Sequence, residues 1–272
     1  MEHRFPLCAV LSKAWQTAHM SGTKGARARA RIEVTAAIKD EARKQLAAEG
    51  AARLSLRAVA RELGMVSSAL YRYFPSRDDL LTALIIDAYD SLGAAVEAAD
   101  EQAVAGGGDP RERWVSVCTA ARVWALEHPH EYALIYGSPV PGYTAPRTTV
   151  PPASRVGLLL IEIVRRARSG GGIAVPPVSK GASAEAERIA ADLAPDLPPG
   201  VAAALVAAWA QLFGLIGFEL FGQFNRVVED REAFFTHAVE QLAHAVGLVG
   251  PYTAGTGGGR GAPTAGQVRR AS

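Results

Sequence analysis

Aromatic residues make up only 7% of this 272-residue chain, and no segment of any length alternates apolar and polar side chains with a period of two. Strands draw on aromatic and β-branched residues in that period, so a sheet-based fold is not expected. Cysteine is nearly absent. The two present, Cys8 and Cys118, lie far apart without metal or redox spacing, which argues against a disulfide framework and for a reducing cytoplasm. Signatures of catalysis are missing as well: no Gly-rich phosphate loop, no nucleophile elbow and no paired carboxylates in a plausible cleft context. The run Gly170–Gly172 is followed by neither a strand nor a lysine motif. Neither enzyme activity nor a cofactor is expected.

Metal binding finds little support. In "EHPHE" (Glu127 to Glu131), Pro129 breaks the i, i+4 geometry of a helical His pair, and no cysteine or third histidine is near. His237 and His244 share a helix face but sit two turns apart. The hydrophobic run Leu7–Leu11 is too short for a signal-peptide core. Residues 201–224 are long and apolar enough to span a bilayer. They carry Gln211, Glu219 and Gln223 in one polar line, however, and no second span exists. A mid-helix glutamate is costly in lipid, so no membrane role is expected.

What is present points to helices. The chain is 49% hydrophobic and 21% charged, the balance of a globular protein. Val34, Ile38, Ala42 and Leu46 recur every four residues, predicting a helix over about 32–49 that Gly50 ends. Ser55 can cap a short helix with Leu56, Val59, Ala60 and Leu63 on its apolar side, and Gly64 follows. A third short helix carries Ala69, Leu70 and Phe74 inward before Pro75 stops it. "SRDD" then sets Ser76 as the cap of a long fourth helix bearing Leu81, Leu84, Ile85, Ala88, Leu92 and Val96. Further helices are predicted over about 110–127, 153–168, 183–194, 201–224 and 231–247. "GSPVPGYTAPRTTVPP" is a long proline-rich loop, read as irregular.

Charge is unevenly placed. Between Lys24 and Arg77 twelve basic side chains face five acidic ones, a net +7, whereas the whole chain totals +2. That asymmetry suggests a polyanionic partner for the N-terminal part. Two short helices joined through a glycine fit a helix-turn-helix. Packing the apolar residues of this hairpin leaves Ser67, Ser68, Tyr71 and Arg72 outside, types that can meet base edges and phosphates. Periodicity alone equally allows a solvated hairpin that happens to be basic. The arm "TKGARARAR" is either a free tail or a strand along DNA, with Arg27 or Arg29 in the minor groove.

The stretch "SLRAVARELGMVSSALYRYFPSRDDLL" resembles the DNA-binding domain of the TetR (tetracycline repressor) family. Arg57, Val59, Ala60, Gly64, Leu70, Tyr71, Tyr73, Phe74, Pro75, Arg77 and Leu80 fall into register with the family pattern. The resemblance implies phosphate contacts from Tyr71, Tyr73 and Arg77, a contact from Arg57, and a base-facing group of Ser67, Ser68 and Arg72. One position departs from it: Val66 stands where the family places a serine or threonine cap. "WAQLFGL" is similar to a C-terminal domain type named for a Trp-His-Gly signature, with Trp209 and Gly214 matching and Phe213 at the histidine position.

The expectation is an all-α protein. Residues 1–19 read as a disordered leader or over-extended start before Met20, and 20–78 as a helix-turn-helix domain with a basic arm. Residues 79–248 read as a helical effector-binding and dimerisation domain, and 249–272 as a disordered tail. The function implied is a ligand-responsive repressor binding a double-stranded, near-palindromic operator as a homodimer. The alternative is a small-molecule binding or scaffold protein without specific DNA readout. Candidate effector contacts are Trp114, Cys118, Trp124, Tyr132, Tyr136 and Phe213. Candidate dimer residues are Ala204, Ala208, Trp209, Leu212, Gly217, Phe221, Phe235, Val239 and Leu242.

Overall fold

A computed structural model describes residues 7–170 and 173–249, with side chains described from residue 25 onward. Ten helices follow in chain order: α1 (Leu7–Glu49), α2 (Leu56–Glu62), α3 (Ser67–Leu70), α4 (Arg77–Ala105), α5 (Pro110–Glu127), α6 (Pro129–Tyr136), α7 (Val150–Ser169), α8 (Ser183–Leu193), α9 (Pro199–Leu220) and α10 (Arg231–Ala245). Short 3-10 turns lie at Ala51–Arg53, Arg147–Thr149 and Lys180–Ala182. Among the described residues there is no strand; Ile173 and Leu248 form one isolated antiparallel bridge. The expected tail over 249–272 lies outside the described residues apart from Val249.

Side-chain caps mark the starts of α2, α4, α5 and α10. Ser76 accepts from the Asp79 backbone N–H at the start of α4, and Asp109 with Glu112 forms a reciprocal capping box on α5, each satisfying amides that a helix start leaves open. At the end of α2 the Met65 N–H reaches the Ala60 carbonyl at 2.8 Å, while Gly64 turns to φ +63°. That is the left-handed C-terminal cap for which glycine carries no Cβ penalty. Two sequence boundaries move. The helix expected from about 32 is continuous with the arm in α1, and α7 begins at Val150 because Pro151 and Pro152 suit a first turn.

Two apolar cores share α4. The first gathers Ile38, Ala42 and Leu46 of α1, Leu56, Val59 and Ala60 of α2, Leu70 of α3, Phe74, and Leu80, Leu81, Leu84 and Ile85 of α4. The second takes Leu92 and Val96 of α4 with Trp114 and Trp124 of α5, Tyr132 of α6, Leu160 of α7, and Leu212 and Ile216 of α9. Ile135 of α6 packs against both cores. Two buried ion pairs brace the second: Arg113 with Asp100, and Arg122 with Glu219, each bidentate at 2.7–2.9 Å. The second pair accounts for a glutamate in the most apolar helix. α9 is long and apolar enough to cross a membrane, yet Val201, Leu205, Leu212 and Ile216 are buried in the chain's own core.

Candidate nucleic-acid interface and the adjoining cavities

The α2–turn–α3 unit is held from beneath by Leu56, Val59, Ala60 and Leu70, all buried. What the packing leaves outside is the set read from the sequence. Arg57, Ser67, Ser68, Tyr71 and Arg72 are all exposed, with Tyr71 at 41%. Val66 stands at the N-cap of α3, 69% exposed, and no side-chain hydrogen bond caps that helix. Ser67 therefore does not assume the missing role. Tyr73 is half-buried against the first core, and the Arg31 guanidinium lies 5.2 Å from its ring centroid, a cation–π pairing.

Arg77 corrects the sequence reading. Its Nη2 donates to the Ala51 carbonyl at 2.8 Å and to Ala52 at 3.3 Å, and its Nε donates to Leu54 at 3.2 Å. The guanidinium fork reaches the carbonyls of Ala52 and Leu54 and shares that of Ala51 with the Leu54 N–H, so it ties down the α1–α2 connection. The arm corrects similarly: Arg27 and Arg29 are exposed residues of helix α1, not of a free tail. Lys39 pairs with Asp87 of α4, and Arg43 pairs with Asp40, Asp87 and Glu131 of α6. The +7 of this segment thus overstates the charge facing outward.

The six residues singled out for an effector split apart. Trp114 donates Nε1 to the Val239 carbonyl at 3.2 Å, and Trp124 donates to Ser91 Oγ at 2.9 Å. Tyr132 donates its hydroxyl to the Phe213 carbonyl at 2.6 Å. Cys118 is fully buried, and burial pushes its thiol well above the usual range. All four belong to the packed core, and the donors of Trp114, Trp124 and Tyr132 are satisfied, as buried donors normally are. Tyr136 differs. Its ring stacks on Phe213 with centroids 3.9 Å apart, and its buried hydroxyl has no hydrogen-bond partner. Desolvation pushes that phenol strongly upward.

Open space lies elsewhere, around the proline-rich segment 137–149. A cleft of about 860 Å³ runs between Leu46 to Ala52 on one side and His130, Leu134, Tyr136 and Phe221 on the other. A cavity of about 550 Å³ lies under the segment, lined by Ile85, Tyr89, Ile135, Val140, Tyr143 and Ser154. A groove of about 250 Å³ follows between α7, α8 and α9, lined by Leu158, Leu160, Leu205 and Trp209. The segment is a strap. Val140 and Tyr143 pack against the first core, and the Tyr143 and Thr82 hydroxyls are 2.9 Å apart. Sequence reasoning missed it because prolines read as irregular; the available signal was its length, since long loops inside compact domains are commonly functional.

The dimer residues need re-sorting. Ala208, Leu212, Gly217, Phe235, Val239 and Leu242 are buried within this chain, so they are not on a surface a partner could touch, and Ala204 is half-buried. Trp209 and Phe221 are exposed. The outward face of α9 is instead Ala207, Ala210, Gln211, Gly214 and Phe218, beside Phe234 of α10. Phe224 bridges Phe218 and Phe234 edge-on, at 5.8 and 5.5 Å. A helix apolar all round gives periodicity no way to choose its buried face.

Comparison with known proteins places these parts. Residues 38–84 match the family described as bacterial regulatory proteins, tetR family, and residues 114–242 match a tetracyclin repressor-like C-terminal domain. The chain is 39% identical over 208 residues to the HTH-type transcriptional regulators Rv1816 of Mycobacterium tuberculosis and Mb1846 of Mycobacterium bovis, covering 74% of this chain and 86% of each relative. Among solved structures, the regulatory protein SCO4313 is similar with a TM-score of 0.66 and 34% identity, over 79% of this chain and 98% of that one.

Proposed function

The chain belongs to the tetR family of bacterial regulatory proteins and is a helix-turn-helix transcriptional regulator; from that premise we propose that it is a ligand-responsive repressor. It binds a near-palindromic operator as a homodimer in the cytoplasm and releases it when a small molecule binds the C-terminal domain. Two recognition units on a two-fold axis read two half-sites. Ser67, Ser68 and Arg72 face base edges, while Arg57 and Tyr71 meet phosphates. The outward apolar face of α9 with Phe218 and Phe234 supplies a self-complementary interface of small and aromatic residues. The likeness to the Trp-His-Gly type of C-terminal domain rests on Trp209 and Gly214, with Phe213 stacked on Tyr136 at the remaining position.

One observation carries the regulatory part. The strap that lines the 550 Å³ cavity also packs Val140 and Tyr143 on the core beneath the recognition unit. A molecule that fills the cavity and displaces the strap acts on that core directly. Glu131 of α6, bonded to Arg43 of α1 at 2.7 Å, forms a second link. An effector shifts the equilibrium only by its difference in affinity for the two arrangements. The test is a fluorescence-anisotropy titration against DNA upstream of the protein's own gene, backed by a genome-wide selection. Specific binding lost on addition of a thermally stabilising ligand supports the reading. No sequence preference in either experiment overturns it.

A further inference from the structure

The effector's chemistry can be read from what lines its cavities, an inference that rests on the ligand-responsive reading above. We infer that the ligand is an uncharged, elongated, mainly apolar molecule carrying a hydroxyl, with its polar end under the strap and its tail in the α7–α9 groove.

Adjacency is the first observation. Ala153 and Ser154, in the first turn of α7, line both the 550 Å³ cavity and the 250 Å³ groove. The two spaces therefore border the same two residues of α7. The ligand enters past Val140 and Tyr143 and ends against Leu158, Leu205 and Trp209, and the 39% exposure of Trp209 belongs to the wall of this groove.

Charge is the second. Neither lining contains an acidic or basic side chain. Arg155, which follows Ser154 in α7, is turned to α4, where it binds Glu97 through two bonds of 2.9 and 2.6 Å and Asp90 at 2.9 Å. A carboxylate or ammonium finds no counter-charge on either lining, whereas a neutral ligand needs none.

Hydrogen-bond polarity is the third. Three of the hydroxyls lining the cavity have their protons committed to the chain's own backbone, while that of Tyr143 is shared with Thr82. Tyr89 donates to the Ile135 carbonyl at 3.3 Å, Thr149 to Pro146 at 2.8 Å and Ser154 to Pro151 at 2.8 Å. Each oxygen keeps lone pairs and presents an acceptor. The complementary group on the ligand is a donor, and an alcohol or phenol supplies one without charge. Ser154 borders both spaces, so it accepts from a hydroxyl at the ligand's bend or end.

The experiment compares three probes of equal chain length on the full-length protein: 1-decanol, decanoate and decylamine. Binding is read by thermal shift and by Trp209 fluorescence, with Trp209→Phe removing the local signal. The expected result is an affinity for the alcohol at least about tenfold above that for either ion. Ala153→Phe, which fills the border that the two spaces share, and Gly157→Leu, at a position where a Cβ meets nothing within 4 Å, each abolish it. Should one variant fail to fold, the other gives the same reading. Equal or tighter binding of decanoate or decylamine overturns the charge-free assignment. Binding of no probe, or binding untouched by both substitutions, overturns the site. DNA binding of the ligand-free protein is measured alongside: if it is specific while the probes fail, only the ligand class falls, and if it is absent the repressor reading falls.

Discussion

The two halves of this chain use the same kinds of side chain in opposite directions. Around α3, Ser67, Ser68, Tyr71 and Arg72 point outward from a small apolar scaffold. Around the second core, Arg113, Arg122, Trp114, Trp124 and Tyr132 turn inward and are answered by partners within the chain. The difference teaches that residue type gives little information about role until burial and partners are known. The exposed Arg72, in the turn that follows α3, is open to a polyanion. A half-buried arginine bonded to the buried Glu219 is a structural brace.

The sharpest way to break this contrast is to remove one partner of an inward pair. Arg122→Met leaves Glu219 buried without its counter-charge, and a loss of about 3–5 kcal/mol in denaturant unfolding is expected. A loss below about 1 kcal/mol would place the pair in a far wetter setting than its burial indicates. On the outward side, Arg72→Ala is expected to cost about 1–3 kcal/mol in operator affinity and to relax preference at one base position, with folding stability unchanged. A uniform loss on all sequences would move Arg72 to the phosphate group.

Arg77 lies on the border between the two behaviours. Because its guanidinium binds the Ala51, Ala52 and Leu54 carbonyls, Arg77→Gln is expected to lower stability by about 1–3 kcal/mol. The salt dependence of DNA binding should stay as in the wild type. If stability holds and the salt slope falls by about one, the arginine contacts phosphate after all. The smallest effect expected is at Val66. Val66→Ser restores a cap on α3 and should stabilise by about 1 kcal/mol in thermal melts; no gain would mean that Ser67 already supplies that bond in solution.

The recognition hairpin was legible in the sequence for a physical reason. Its scaffold needs few residues at short spacing, and Gly64, Ser55 and Pro75 mark its turns. The contacts of Arg77 were not legible because nothing in sequence spacing shows that its guanidinium reaches backbone carbonyls 23–26 residues earlier. Helix α9 was recognised as a helix, but its uniform apolarity hid which face is buried, so Leu212 and Ala208 were placed on the wrong side. The aromatic residues expected in the effector pocket were identified by type alone. Trp114, Trp124 and Tyr132 fill the core instead, and the space lies beneath a proline-rich segment that carries no periodic signal.

The claim at the centre is that the outward face of α2 and α3 reads DNA while the inward arginines only hold the fold. It is tested most directly by anisotropy titrations of full-length wild-type, Tyr71→Phe, Arg72→Ala and Arg77→Gln proteins. Each is measured on its selected operator and on a scrambled duplex across a range of salt. The expected result is at least about a thousandfold preference for the operator in the wild type. Tyr71→Phe should weaken both duplexes alike, Arg72→Ala should narrow the preference, and Arg77→Gln should leave the salt slope intact. Equal affinity of the wild type for both duplexes would contradict the account.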